Sequence, residues 1–326
     1  MAKAREIAAL ECDGDGVEGI RRVLLVRLDE VCEFREQALD FSDIKGVHAM
    51  RVASRRLRSA SRDFAPYLRK GRLDGAVEEL RELADLLGGV RDLDVELSAL
   101  EKLSDEVPPG LAEGVREIVG EREARRERAR ARLAEDMTAG AVEDLRRKFA
   151  RAVEDASRAR RRSRKNDDGD ATDGPSFRAV GREVSLRLWD ELSARSRSLR
   201  RPLKSGPLHR MRISAKRLRY ALELFAQSHG ETLKGFAEEI AEMQGSLGNL
   251  HDCDVWVETF GDQLREYADA ADSSGDADHA RRRDAAVWLL GHFAEKRTRH
   301  YRDALDRWHE WQRSDFAARL AACLEE

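Results

Sequence analysis

Two short segments of the chain carry the same anion-liganding side chains in the same order. Residues 47–60 read V-H-A-M-R-V-A-S-R-R-L-R-S-A, and residues 208–221 read L-H-R-M-R-I-S-A-K-R-L-R-Y-A. A shift of 161 residues lays His48 on His209, Arg51 on Arg212, Arg55 on Lys216, Arg56 on Arg217 and Arg58 on Arg219. At about 100° per residue, His48, Arg51, Arg55, Arg58 and Arg62 share an arc of roughly 80° on a helix. His209, Arg212, Lys216 and Arg219 share the same arc in the second copy. Met50, Ala53, Leu57, Ala60 and Phe64 lie opposite, as do Met211, Ser214, Leu218, Ala221 and Phe225. Each segment therefore reads as a helix with a core face and a cation stripe headed by one histidine. A solvated helix face ordinarily mixes both signs, yet residues 199–220 hold no Asp or Glu. Such a stripe repels itself unless an anion lies on it, so the chemistry it suits is anion binding.

A second pair of motifs follows the first. V-R-D-L-D-V (90–95) returns as L-H-D-C-D-V (250–255), placing Asp92 on Asp252 and Asp94 on Asp254. Paired carboxylates can hold Mg²⁺. The stronger reading is that each D-x-D, following a glycine-bearing kink (Gly88–Gly89, Gly245–Gly248), caps helix amides and anchors neighbouring arginines. A looser third match sets R-R-E-R-A-R-A-R-L (125–133) beside R-T-R-H-Y-R-D-A-L (297–305).

The elements that must carry these motifs are helices throughout. No segment alternates in the manner of a strand, and the composition, 38% charged and 6% aromatic, suits long helices with charged outer faces. The periodicity predicts helices near 17–41, 46–70, 72–105 and 109–163, then near 176–199, 206–229, 231–268 and 279–326. Prolines and glycines mark the breaks between them. The fold class is all-α: two antiparallel four-helix bundles from an internal duplication, related by a pseudo-twofold axis that would bring the stripes together. An extension covers 1–16, the first repeat 17–163, a linker 164–175 and the second repeat 176–326. The run 158–175 turns from basic to acidic, and 271–278 reads as a loop.

The net charge is only −3, so the positive charge acts through clustering rather than through its total. Four scattered cysteines lack metal-ligand or disulfide-framework spacing. No signal peptide or membrane span is read, and a reducing cytoplasm is the expected compartment. There is no phosphate-binding glycine loop, no zinc constellation and no nucleophile beside a base, so neither catalysis nor a cofactor is expected.

These motifs resemble those of the CHAD domain, the conserved histidine α-helical domain. Its hallmark is H-x-x-R-x-x-x-[RK]-R-L-R in both halves, each followed by R/H-D-x-D-V. Both pairs stand here, from His48 to Arg58 with Asp92/Asp94 and from His209 to Arg219 with Asp252/Asp254. The resemblance runs from the second helix to the C-terminus. It implies a two-bundle helical fold with a basic cavity that binds inorganic polyphosphate, and bacterial members are linked to polyphosphate granules. Many members carry a triphosphate tunnel domain with an E-x-E-x-K strand; that motif is missing here, so a stand-alone module is expected. The second copy departs in placing Tyr220 where the first has Ser59, which would confine a phenol contact to that half.

For such a ligand, arginine forks donate paired hydrogen bonds to phosphate oxygens and stay charged. Arg51, Arg55, Arg58, Arg62, Arg212 and Arg219 are the expected contacts, with Lys216 as a compact charge and Arg56 and Arg217 at the stripe's edge. Arg125, Arg128, Arg297 and His300 are expected on the far wall. His48 and His209, recurring at one stripe position, are expected to touch phosphate and to bind more tightly as pH falls. Besides polyphosphate, other granule proteins are expected as partners and a membrane is not. Two other functions fit less well. Nucleic-acid binding lacks a reading motif and stacking aromatics. A phosphohydrolase acting on polyphosphate or triphosphate would need Mg²⁺ on the acidic pairs.

Overall fold

The computed structural model describes residues 4–8, 10–167, 174–271 and 277–325. These are helical with no β-strand among them; Asp15 and Ser176 make one isolated bridge. The described residues form two compact units, one of residues 1–99 and 122–184, the other of 100–121 and 185–326. The units are spatial, the repeats are sequential, and they differ at 100–121 and 176–184. The linker expected at 164–175 and the loop expected at 271–278 fall largely outside the described residues.

In the first unit, α1 (Gly16–Glu33) packs against α3 (Lys45–Phe64) and α6 (Ala139–Asp167), and the short α2 (Arg35–Leu39) packs on α3. Ile20, Leu24 and Leu28 of α1, Met50, Leu57 and Phe64 of α3, and Phe149 and Val153 of α6 are almost fully buried. At roughly 25 cal/mol per Å² of apolar surface, such side chains drive the assembly. The single helix expected at 17–41 is two pieces. Asp40 turns the chain by accepting from the Ser42 amide and hydroxyl, and just before α3 Asp43 accepts from the Lys45 amide at 2.9 Å. Gly46 lets α3 start hard against α2: a Cβ there would stand 1.7 Å from the Gln37 carbonyl oxygen.

The second unit is built on α9 (Glu231–Ala271), which packs against α8 (Ser205–His229) and α10 (Ala277–Arg313). Met211, Leu218 and Phe225 of α8 meet Ile240, Met243 and Leu247 of α9 in its core. Trp189 of α7 (Phe177–Arg195), Trp311 and Phe316 close one end through ring contacts of 4.7–6.0 Å. The helix expected at 279–326 breaks at Asp315, whose φ of 48° is left-handed, and α11 (Phe316–Cys323) follows. The helix expected at 109–163 likewise divides into α5 (Ala112–Asp136) and α6, where the Thr138 hydroxyl caps the new start by accepting from the Ala141 amide.

The glycine pairs do not behave as expected. Helix α4 (Asp74–Glu101) runs unbroken through Gly88–Gly89, and α9 runs unbroken through Gly245–Gly248. Both D-x-D motifs are mid-helix, so they cap no amides; that expectation is corrected. Isolated glycines cost a helix about 1 kcal/mol each without breaking it when the surrounding face is buried.

Candidate functional site

Helix α3 carries the first stripe. Its apolar face is buried as the periodicity required, while His48, Arg51, Arg55 and Arg58 are half-buried and Arg62 is exposed. Beside it α4 supplies Asp92, whose Oδ1 stands 3.0 Å from Arg51 Nη2. Arg51 also passes over a glycine of α4: a Cβ on Gly88 would lie 3.9 Å from Arg51 Nε, an ordinary van der Waals distance. The second copy repeats the device: Arg212 Nη2 lies 3.7 Å from Asp252 Oδ1, and a Cβ on Gly248 would lie 3.7 Å from Arg212 Nε. Gly88 and Gly248 thus lie beneath the first arginine of each stripe.

The second aspartate of each pair faces another helix. Asp94, 3% exposed, lies 3.5 Å from Arg130 Nη2 of α5; burial pushes its carboxyl up, and Arg130, Arg91 and Arg126 oppose that. Asp254 accepts from Arg297 Nε of α10 at 2.5 Å, while Arg297 Nη2 donates to the Pro202 carbonyl at 2.6 Å. The equivalent of Arg297 is therefore Arg130, five residues along from the Arg125 that the loose sequence match selected. Arg125 and Arg128 are exposed, and Arg128 lines a groove of about 1140 Å³ with Glu82, Asp85 and Asp136. The α5 residues turned toward α4 are Arg122, Arg126 and Arg130, with Arg122 Nε 3.2 Å from Glu96. Val115, Ile118 and Leu133 of α5 are buried at spacings that put Arg122, Arg126 and Arg130 on the same inner face, a sparse signal that could have chosen among its arginines. His300 sits farther along α10, 3.6 Å from Asp303.

The copies diverge toward the C-terminal ends of their stripes. Arg219, on the arc in sequence, is only 3% exposed; its guanidinium lies over the Tyr220 ring at 4.9 Å and 3.6 Å from Glu223. Glu223 occupies the position of Arg62 in the first copy. Tyr220 is itself buried. Arg56 is buried near Glu30 at 3.9 Å, and Arg217 donates to Glu191 at 2.5 Å. The stripe-edge arginines thus face carboxylates of the protein, while Arg51, Arg55, Arg58 and Arg62 on one copy and Arg212 and Lys216 on the other keep full or partial solvent access along the stripes.

The histidines head both stripes in different company. Burial first, then Arg91, Arg55 and Arg51, push His48 down to about 4. In the second copy the residue matching Arg91 is His251, and His209 Nδ1 stands 3.2 Å from His251 Nδ1 with the rings 4.1 Å apart. Burial and then Arg212 lower both, His251 to about 4. The repeated R/H-D-x-D-V motif already held Arg91 and His251, but only the folded geometry shows them beside the stripe histidines. Among the described residues, no group of three or more His, Cys, Asp or Glu is placed to hold a metal, and no helix is long and apolar enough to cross a membrane.

The profile of the CHAD domain matches residues 22–261. Among solved structures, the crystal structure of the CHAD domain from the plant Ricinus communis superposes with a TM-score of 0.66 at 21% identity, covering 99% of this chain and 96% of that one. PptA from Streptomyces chartreusis superposes with a TM-score of 0.63 at 16% identity, covering 91% of this chain and all of that one. At these identities the likeness is one of fold. No curated protein sequence matches the chain.

Proposed function

The chain belongs to the CHAD domain family, and from that premise we propose that it binds inorganic polyphosphate on its two cation stripes without cleaving it. The observation that carries this reading is the repeated seat: an arginine laid over a helix glycine and tethered to a carboxylate, at the head of a row of further cations. An arginine held at one edge keeps its other donors for a ligand and loses less side-chain entropy when a phosphate arrives. Arg51, Arg55, Arg58 and Arg62 are the contacts of the first stripe, and Arg212 and Lys216 those of the second. Arg219, Arg56, Arg217 and Arg297 hold the stripes in position from behind, as do Asp92, Asp94, Asp252 and Asp254. A polymer with about one charge per phosphate suits cations spaced along a helix. Attachment to polyphosphate granules, alone or with other granule proteins, is the role this binding would serve.

The test is calorimetric titration of long-chain polyphosphate into the protein at near-physiological salt, beside the variant Arg51→Ala/Arg55→Ala/Arg212→Ala/Lys216→Ala. Tight binding that the folded variant loses supports the reading. Equal binding by both proteins, or displacement of polyphosphate by an equal phosphate concentration of single-stranded nucleic acid, overturns it.

A further inference from the structure

The His209–His251 couple differs in kind from its counterpart in the first copy. There, His48 stands near Arg91, a cation at every physiological pH. Here two imidazoles face each other through Nδ1 at 3.2 Å. Two such nitrogens can share a hydrogen bond only if one carries a proton and the other a lone pair. In the neutral couple the donor ring therefore holds its proton on Nδ1 and leaves Nε2 bare, while the acceptor ring holds its proton on Nε2. One further proton goes to the bare Nε2 of the donor ring, leaving the shared bond intact and strengthened by charge. A second would have to occupy the shared lone pair, which breaks the bond and sets two imidazolium ions in contact. The couple thus has room for one added proton.

Its surroundings decide when that proton arrives. From α8 the couple faces Arg212 and Lys216, with Arg210 beside His209; from α9, Asp252 and Asp254 adjoin it, and Asp254 is engaged by Arg297 of α10. Cations outnumber carboxylates around the couple, and burial first, then Arg212 and Lys216, lowers the basicity of both rings. A phosphate laid on Arg212 and Lys216 would reverse the local field.

Resting on the polyphosphate reading above, we propose that His251 is an anion-contacting residue of the second stripe and that the His209–His251 couple takes up one proton from solvent when polyphosphate binds. The second copy then carries a conditional cation where the first carries a permanent one, and its grip on the polymer strengthens as pH falls.

Calorimetry of long-chain polyphosphate binding at pH 6.5, in two buffers of different ionisation enthalpy, counts the protons taken up. Wild-type protein is expected to take up several tenths of a proton to one proton more than the His209→Asn/His251→Asn variant. His251→Arg, which installs the first copy's residue type, is expected to flatten the pH dependence of affinity between pH 7.5 and 5.5. Equal uptake by wild type and the double variant, with polyphosphate still bound, overturns this inference while leaving the function standing; loss of binding by wild type itself overturns the function. Nitrogen-15 spectra of the ligand-free wild type supply a reading that needs no variant. One ring of the pair in the Nδ1–H tautomer supports the couple, and both rings in the Nε2–H form sink it.

Discussion

The two stripe helices, α3 and α8, started from one pattern and now differ in reach. On α3 the cations continue from Arg51 through Arg55 and Arg58 to Arg62, with access to solvent along the whole row. On α8 the row stops after Lys216: Glu223 stands where Arg62 stands, and Arg219 is buried over the Tyr220 ring with Glu223 3.6 Å away. One carboxylate both replaces a cation of the row and pairs with the cation before it. The same substitution of role recurs at the other end, where Arg91 is matched by His251. The first copy is a long track of permanent charge, and the second is a short one headed by a titratable couple. A duplicated motif therefore need not give two equal half-sites, even when its hallmark residues are all present.

The sharpest way to break this comparison is to erase each stripe separately. Half-exposed charge contacts are worth about 1 kcal/mol apiece. Arg51→Ala/Arg55→Ala/Arg58→Ala/Arg62→Ala should therefore weaken polyphosphate binding about a thousandfold, and Arg212→Ala/Lys216→Ala about thirtyfold. The slope of log affinity against log salt should flatten by roughly 0.7 per lost contact, about 3 in the first variant and about 1.4 in the second. Equal losses in titrations across a salt series would mean that the two stripes contribute alike, whatever their exposure.

How much of this was legible beforehand follows from which physical signal each residue leaves. Helix α3 announced itself because Met50, Leu57 and Phe64 repeat at helical spacing opposite the arginines, and burial enforces that spacing. The cation stripes were legible for the same reason, by subtraction from the core face. Helix ends were less so: Thr138 and Asp315 interrupt helices that hydrophobic periodicity alone would have run together. Arg219 was unreadable, since position on an arc cannot report that its guanidinium is buried over the Tyr220 ring beside Glu223. Arg130 was missed because α5 has arginines on several faces and only a sparse apolar row, Val115, Ile118 and Leu133, to orient them. Gly88 and Gly248 looked like helix breakers, whereas α4 and α9 continue through them and each faces an arginine on the neighbouring helix.

Arg58 and Arg219 occupy one position of the repeat in two environments, which makes them a matched pair for separating binding from folding. Arg219→Ala removes a buried guanidinium and leaves Glu223 facing a void, at a cost of about 2 kcal/mol in folding stability. Arg58→Ala removes a half-buried cation that ligand can reach. Thermal melts should show Arg219→Ala melting several degrees lower with nearly unchanged polyphosphate affinity when folded. For Arg58→Ala the melting temperature should hold while affinity drops about fivefold. If both variants lose affinity alike, the burial of Arg219 in the free protein does not persist when the polymer binds.

The smallest effect comes from the residue that ended the second stripe. Glu223 carries a negative charge beside the path a polymer would follow beyond Lys216, and its side chain is 30% exposed. Neutralising it by Glu223→Gln keeps shape and a hydrogen-bonding partner for Arg219 while removing that repulsion. In water-accessible surroundings the gain is a few tenths of a kcal/mol, so affinity should rise about twofold at low salt and fade toward nothing at high salt. The mirror change, Arg62→Gln in the first copy, should lower affinity about fivefold under the same conditions. Opposite signs at equivalent positions would show that the ends of the two stripes set their unequal reach. A gain absent from Glu223→Gln at every ionic strength would mean the polymer leaves α8 before that turn, and that the second stripe is complete with Arg212 and Lys216.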